Sequence, residues 1–236
     1  MATTRRQSDP RAPIDEKALP DFVAVIGLHR SGSSCLAGVL HTLGVHMGDR
    51  LGGYEKTGGF EARGLAQLCR AAYPFPATEL RIEAEELDRR LSNHILHVRR
   101  SAAQRGKIAG GKYPHLCAMG ERLQRICGRS LRCVHASRPL EASIRSFQNR
   151  LLHQHDFGHI PNLEHGAECV QRWLWKGKEQ FLATVDHLTI DYETLLSDPR
   201  RQIDRIIEYL ELQPTKKVRE LALARIQPKL CHYVQR

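Results

Sequence analysis

The stretch Phe22-Val-Ala-Val-Ile-Gly27-Leu-His-Arg30-Ser-Gly32-Ser-Ser-Cys-Leu-Ala-Gly-Val-Leu-His-Thr-Leu-Gly44 decides the fold. Phe22 to Ile26 is an unbroken apolar run, as in a parallel strand buried on both faces. Leu36, Val39, Leu40 and Leu43 then recur at helical spacing, and Gly44 suits the position just past a helix end. Between strand and helix lie glycine, serine and one arginine. Glycines let the backbone curl around an oxyanion, and the N–H groups of such a turn and of the helix start attract negative charge. The order strand, turn, helix predicts an α/β protein with a parallel central sheet flanked by helices and an anion cradle at the strand's end.

The spacing of Gly27 and Gly32 is that of the Walker A pattern G-x-x-x-x-G-K-S/T, but Ser33 stands where the lysine belongs. A nucleoside-triphosphate enzyme would lose the cation that reaches its outer phosphates. The turn keeps a different one, Arg30, whose planar fork of donors suits an oxyanion. Arg30-Ser31-Gly32-Ser33-Ser34 resembles the 5′-phosphosulfate loop, roughly K/R-S-G-S/T-S/T, of the sulfotransferases that use 3′-phosphoadenosine 5′-phosphosulfate (PAPS). The resemblance implies their P-loop-like nucleotide-binding fold, PAPS as donor, 3′-phosphoadenosine 5′-phosphate (PAP) as product, and no required metal. It assigns Arg30, Ser31, Gly32, Ser33 and Ser34 to the 5′ end of the nucleotide.

A chain of 236 residues can bury a sizeable core. Its formal net charge of +10 favours anionic partners, a nucleotide with several phosphates among them. Nucleic acid is not expected, because the sequence has no long basic tract and no zinc-finger or aromatic RNA-binding pattern. Seven cysteines without a CxxC pair, and no signal peptide, predict reduced thiols and a cytoplasmic protein. No apolar run approaches the roughly 20 residues of a membrane span. Residues 1–20 are polar, carry three prolines and lack periodicity, and are expected to form a flexible tail before one domain over 21–236.

Further along, the resemblance supplies roles. Lys56, Gly58 or Gly59, Phe60 and Glu61 keep part of a family loop, N-P-K-G-Y/H-F/W-E, which makes Glu61 a candidate active-site carboxylate. Residues 77–99 read as an amphipathic helix, with Leu80, Ala84, Leu87, Leu91, Ile95 and Val98 inward and no chemistry of its own. Lys107 to Lys112 reads as a strand; Lys112 and Pro114 match the family's K-D-P-R, with Tyr113 and His115 replacing the aspartate and arginine. A helix is expected from Leu116 to Gly128. Leu131 to Arg138 reads as a strand running into a helix with Pro139 in its first turn. Arg138 and Ser146 have the eight-residue separation of the pair that holds the 3′-phosphate in the family. Four histidines from His153 to His165 match no zinc spacing and suggest a loop able to cover the acceptor. A helix over 168–186, a strand over 187–192 and a helix opened by Asp198 and Pro199 complete the pattern. The family run Y-E-D/T-L-x-x-D/N-P places Tyr192 near the adenine, and the segment around Lys229 resembles one that closes over the nucleotide.

Sulfuryl transfer to a hydroxyl or amine asks the protein to align the partners and neutralise charge on the departing phosphate oxygen. Arg30 and Lys112 are the candidate cations, Glu61 the first candidate base and His115 the second. The acceptor is read only as a small molecule or carbohydrate. Two rivals stay open: a P-loop ATP-dependent kinase, with Leu188-Thr-Ile-Asp191 as its Walker B strand, and a basic nucleotide- or RNA-binding module without catalysis.

Overall fold

The structure, a computed structural model, describes residues 19–52, 59–152 and 161–226. Lys56, Gly58, Lys229, His153, His155, His159 and nearly all of the 1–20 tail lie outside the described residues. In chain order the elements are β1 (Phe22–Ile26), α1 (Ser33–Leu43), β2 (Val45–His46), β3 (Leu51–Gly52), β4 (Glu61–Ala62), α2 (Arg63–Ala72) and α3 (Ala84–Gln104). There follow β5 (Ile108–Lys112), α4 (Gly120–Cys127), β6 (Leu131–Ser137), α5 (Leu140–Leu152) and α6 (Leu163–Leu182). The last are β7 (His187–Asp191), α7 (Tyr192–Ser197), α8 (Pro199–Tyr209) and α9 (Lys216–Ala224).

Five strands form one sheet in the order β2-β5-β1-β6-β7, all neighbours parallel. β1 is central, fully buried, and its alternation divides the core. Phe22, Ala24 and Ile26 face a cluster built with α2, α3, α4 and α6, through residues such as Leu65, Leu91, Leu123 and Leu174. Val23 and Val25 face the other cluster, with Leu36 and Leu40 of α1 and Ile203 and Ile206 of α8. Burial on both faces is why β1 reads as a continuous apolar run and not as an alternating one. The register sets Val25 beside Lys112 and Ile26 beside His135, and Ser137 beside Asp191. The segments leaving β1, β5, β6 and β7 therefore emerge along one carboxyl edge, where open parallel sheets bind ligands.

Several boundaries differ from expectation. α3 runs over Ala84–Gln104 and not 77–99, because Glu83 is extended and serves as the N-cap, with Glu85 and Glu86 favouring the helix start. Leu80 still packs on the core, from outside the helix. The helix expected after Pro114 divides into a 3-10 turn, Pro114–Ala118, and α4. α6 begins at Leu163, five residues before the expected Glu168. β7 ends at Asp191, whose carboxylate accepts from the Thr194 N–H and opens α7 at Tyr192. Asp198 caps α8 with Pro199 in its first turn, as read from the sequence. No helix of the described residues is long and apolar enough to cross a membrane. The six cysteines among them are free.

Candidate functional site

The loop 28–32 is held from three directions. Ser31 Oγ donates to the Leu28 carbonyl at 2.9 Å, closing the turn on itself. Gln171, fully buried on α6, accepts from the His29 N–H at 3.1 Å and donates to the His29 carbonyl at 2.8 Å. One side-chain amide thus satisfies both backbone groups of a residue 142 positions away. The His29 ring stacks on Phe147, with centroids 4.3 Å apart and planes 3° apart. Arg30 has a left-handed backbone (φ 65°), which turns the chain sharply before Gly32 (φ 86°). α1 then starts at Ser33 with no side-chain cap, so its first N–H groups have no acceptor from a capping side chain. With no acidic residue in that turn, the helix start is a positive end open to an anion.

Gly32 meets a second constraint. A Cβ there would stand 2.6 Å from Cγ and 2.7 Å from Cε2 of Tyr192, inside contact distance. The Tyr192 ring, carried by the first residue of α7 just past β7, lies directly on the loop. Arg138, at the end of β6, lies over that ring, its guanidinium 5.6 Å from the centroid. Arg138 Nη1 donates to the Arg30 carbonyl at 3.0 Å, and Arg30 Nε donates to Ser146 Oγ on α5 at 3.3 Å. Arg30, Arg138, Ser146 and Tyr192 therefore form one connected group. Arg138 is only 8 % exposed at its side chain, and its buried Nε has no hydrogen-bond partner among the described residues. Glu193 Oε1 stands 3.6 Å from it, an ion pair too long for a hydrogen bond. A buried cationic donor with an unfilled N–H fits an anionic ligand.

At the β5 end, Lys112 is 3 % exposed and its Nζ donates to Glu61 Oε1 at 2.6 Å and to Ser34 Oγ at 3.0 Å. Glu61 reaches this position through the β3–β4 ladder, in which Gly52 pairs with Glu61 and Leu51 with Ala62. The segment before β3 is anchored by Asp49, which takes His97 Nε2 at 3.1 Å and Ser101 Oγ at 3.2 Å from α3. Lys112 and Glu61 thus stand at the start of α1, beside the loop.

His115 follows in the 3-10 turn, 5 % exposed, among rings: Tyr113 at 5.3 Å, Trp173 and His29 at 5.8 Å, and Tyr73 at 5.9 Å. Burial, with the Arg70 guanidinium adding to it, pushes its pKa down to about 4, so it is neutral at pH 7. Its Nδ1 is buried without a hydrogen-bond partner among the described residues. Burial likewise pushes His29 well below the usual histidine range, aided by His115, Lys112 and Arg30.

Of the residues singled out in the sequence, the structure brings Arg30, Ser31, Gly32, Ser33, Ser34, Arg138, Ser146 and Tyr192 together around the loop, with Lys112 and Glu61 against its helix end. His115 lies behind Lys112 on the aromatic side. Gln171, His29, Arg70 and Tyr73 escape the sequence reading, and Trp173 is expected there only as an inward residue of its helix, not near the site. Gln171 has no pattern to find it by. Arg70 belongs to α2, a helix that the recurrence of Leu65, Leu68, Cys69 and Ala72 would have indicated. Among the described residues no group of histidine, cysteine, aspartate and glutamate is arranged to hold a metal. Asp191, the Walker B candidate, spends Oδ1 on the Thr194 N–H and hydroxyl, both at 2.8 Å.

A parallel α/β sheet with a cationic, lysine-free P-loop at its carboxyl edge defines the structural class. Within that class, the chain has the sulfotransferase fold. No family model matches the sequence, and no curated protein matches it either. Solved structures do. The sulfotransferase domain from the curacin biosynthetic pathway superposes with a TM-score of 0.56 at 17 % identity, over 85 % of this chain and 77 % of its own. Sulfotransferase STF1 of Mycobacterium tuberculosis gives 0.56 at 19 % identity, over 88 % and 71 %. Mouse sulfotransferase SULT7A1, solved in complex with PAP, gives 0.52 at 10 % identity, over 91 % and 68 %.

Proposed function

We propose that the protein transfers a sulfuryl group from PAPS to a hydroxyl or amine of a small-molecule or carbohydrate acceptor. The observation that carries this reading is the connected group of Arg138, Arg30 and Ser146, in which a buried guanidinium keeps an unfilled N–H beside an open helix start. Two separated cationic positions, Arg138 at one side of the loop and Lys112 at the other, suit a ligand with phosphate groups at both ends. The PAP complex of the mouse protein supports the same nucleotide. When bound, the donor supplies an activated sulfuryl group and an anionic phosphate as leaving group.

The protein's residues divide the remaining work. Arg138 and Ser146 would hold the 3′-phosphate, and Tyr192 would lie against the adenine. Lys229, outside the described residues, keeps the role the resemblance gives it. Arg30 and the N–H groups from Gly32 to Ser34 would hold the 5′ group. Lys112 Nζ, already donating to Ser34, would neutralise charge on the departing oxygen. Glu61 would accept the acceptor's proton once Lys112 turns from it to the anion. His115, neutral and with Nδ1 unpartnered among the described residues, is the alternative base. The kinase rival would need Asp191 for magnesium, and one of its two carboxylate oxygens, Oδ1, already caps α7.

Calorimetry should find PAP bound more tightly than ATP, with no loss on adding a chelator. Tighter, magnesium-dependent ATP binding would overturn the reading in favour of a kinase. A metabolite extract incubated with the protein and PAPS should yield products heavier by one sulfate. PAP binding without transfer to any acceptor would leave a nucleotide-binding module.

A further inference from the structure

α2 carries a cation that the nucleotide reading does not use. Its first residue, Arg63, follows directly on β4, the strand that holds Glu61, and Arg70 lies two turns further on. Arg70 Nε donates to Tyr113 Oη at 3.2 Å, and Tyr113 is the residue after Lys112. Tyr113 is 6 % exposed, so this bond ties an exposed guanidinium to a fixed, buried phenol. No group among the described residues accepts from the two terminal nitrogens of Arg70. A guanidinium held through Nε presents its outer edge in one orientation, and that edge matches a carboxylate or similar oxyanion. Because the side chain is already ordered, less conformational entropy is lost when it binds.

The neighbourhood supplies the other half of a ligand site. Tyr73 packs on Trp173 at 4.8 Å between centroids, and His115 lies within 5.9 Å of both and of Tyr113. These rings, tilted to one another by up to 67°, form an apolar wall next to Lys112 and Glu61. The buried Nδ1 of His115 is a polar atom in that wall with no hydrogen-bond partner among the described residues. An anionic molecule would approach Glu61 against its charge unless a cation stood beside it. Arg70 is that cation.

We propose that the acceptor is an anion, an apolar molecule bearing a carboxylate or comparable oxyanion that Arg70 binds, its body lying against Tyr73, Tyr113 and Trp173. The proposal rests on the sulfotransferase reading for which end of the crevice takes the acceptor. It assigns Arg70 to acceptor recognition and not to the nucleotide.

The probes are 3-(4-hydroxyphenyl)propanoate and its primary amide, which share ring and hydroxyl and differ in charge. Each is titrated calorimetrically into the full chain, with saturating PAP and without it. The acid should bind about tenfold more tightly than the amide, the size expected of a charge-assisted hydrogen bond. Arg70→Gln should bring the acid down to the amide's affinity, leave the amide unchanged and leave PAP binding unchanged. Arg70→Lys, which keeps the charge without the fork, should recover only part of the preference. Equal binding of acid and amide, binding of neither, or a preference that survives Arg70→Gln overturns the proposal. If Arg70→Gln fails to fold, the acid–amide comparison on the unaltered protein still decides. Absence of PAP binding would overturn the sulfotransferase reading alone, because the titrations without nucleotide measure the Arg70 preference separately.

Discussion

Replacing Gly32 by alanine tests the geometry on which the nucleotide reading depends. Two costs add at this position. The left-handed backbone (φ 86°) penalises any L side chain by about 1–2 kcal/mol. The new Cβ would also stand 2.6 Å from Tyr192 Cγ, a contact that must be relieved by moving the ring or the loop. Overpacking of that kind costs about 1–3 kcal/mol. Gly32→Ala should therefore lower the stability by about 2–5 kcal/mol in urea denaturation, with the slope of the transition unchanged. The two parts are separable. Tyr192→Ala removes the obstructing ring but leaves the backbone conformation as it is. The double variant should be about 1–3 kcal/mol more stable than the sum of the single effects predicts, which is the overpacking part alone. Additivity within about 0.5 kcal/mol would mean that the Tyr192 ring does not lie on the loop, and the assignment of that residue to the adenine would fall with it.

Three further outcomes are expected. Arg138→Ala should weaken PAP by about tenfold or more while hardly changing the analogue that lacks the 3′-phosphate; equal weakening of both, read by calorimetry, would give Arg138 a structural role instead. Glu61→Gln should lower the turnover rate by about 10²–10⁴ with PAP affinity nearly constant, and His115→Asn should cost much less. Near-normal turnover of Glu61→Gln would move the proton to His115 or to the acceptor itself. Burial brings His115 to about 4, so a His115 base would keep activity well below the usual histidine range of about pH 6.5.

The last outcome concerns His135, on β6 beside Thr189 and 7 % exposed. Burial first, then Lys178 and His187, lower its pKa from 6.5 to about 4, with Glu179 opposing. As pH falls below 6.5 the unfolded chain takes the proton and the folded one does not, so stability present above that pH is lost down to about pH 4. The loss attributable to His135 is at most about 3 kcal/mol, and a His135→Gln variant should show a shallower decline in urea midpoint across that window. An unchanged decline would mean that the group does not titrate as its surroundings imply.

The sequence by itself determined what repeats or is contiguous. β1 and the start of α1 were legible because a strand buried on both faces must be apolar throughout and a tight strand-to-helix turn takes glycine. Arg138 and Ser146 were singled out through the family resemblance, and strand, turn and helix set the separation at which both side chains reach Arg30. Asp198 with Pro199 marked a helix start because capping involves only neighbours.

Tertiary structure decided what depends on distant partners. Neither the ion pair of Lys112 with Glu61 nor the amide clamp of Gln171 on His29 follows from a local pattern, since each joins elements brought together only by the sheet order. The neutrality of His115 is also tertiary. Its ring loses water to Tyr73, Tyr113 and Trp173, which come from three separate parts of the chain. Arg70 gained its place at the crevice in the same way. A charge on an amphipathic helix reads as solvated until the fold sets a buried phenol against it, and here that phenol is Tyr113, at the end of a strand 43 residues further along the chain.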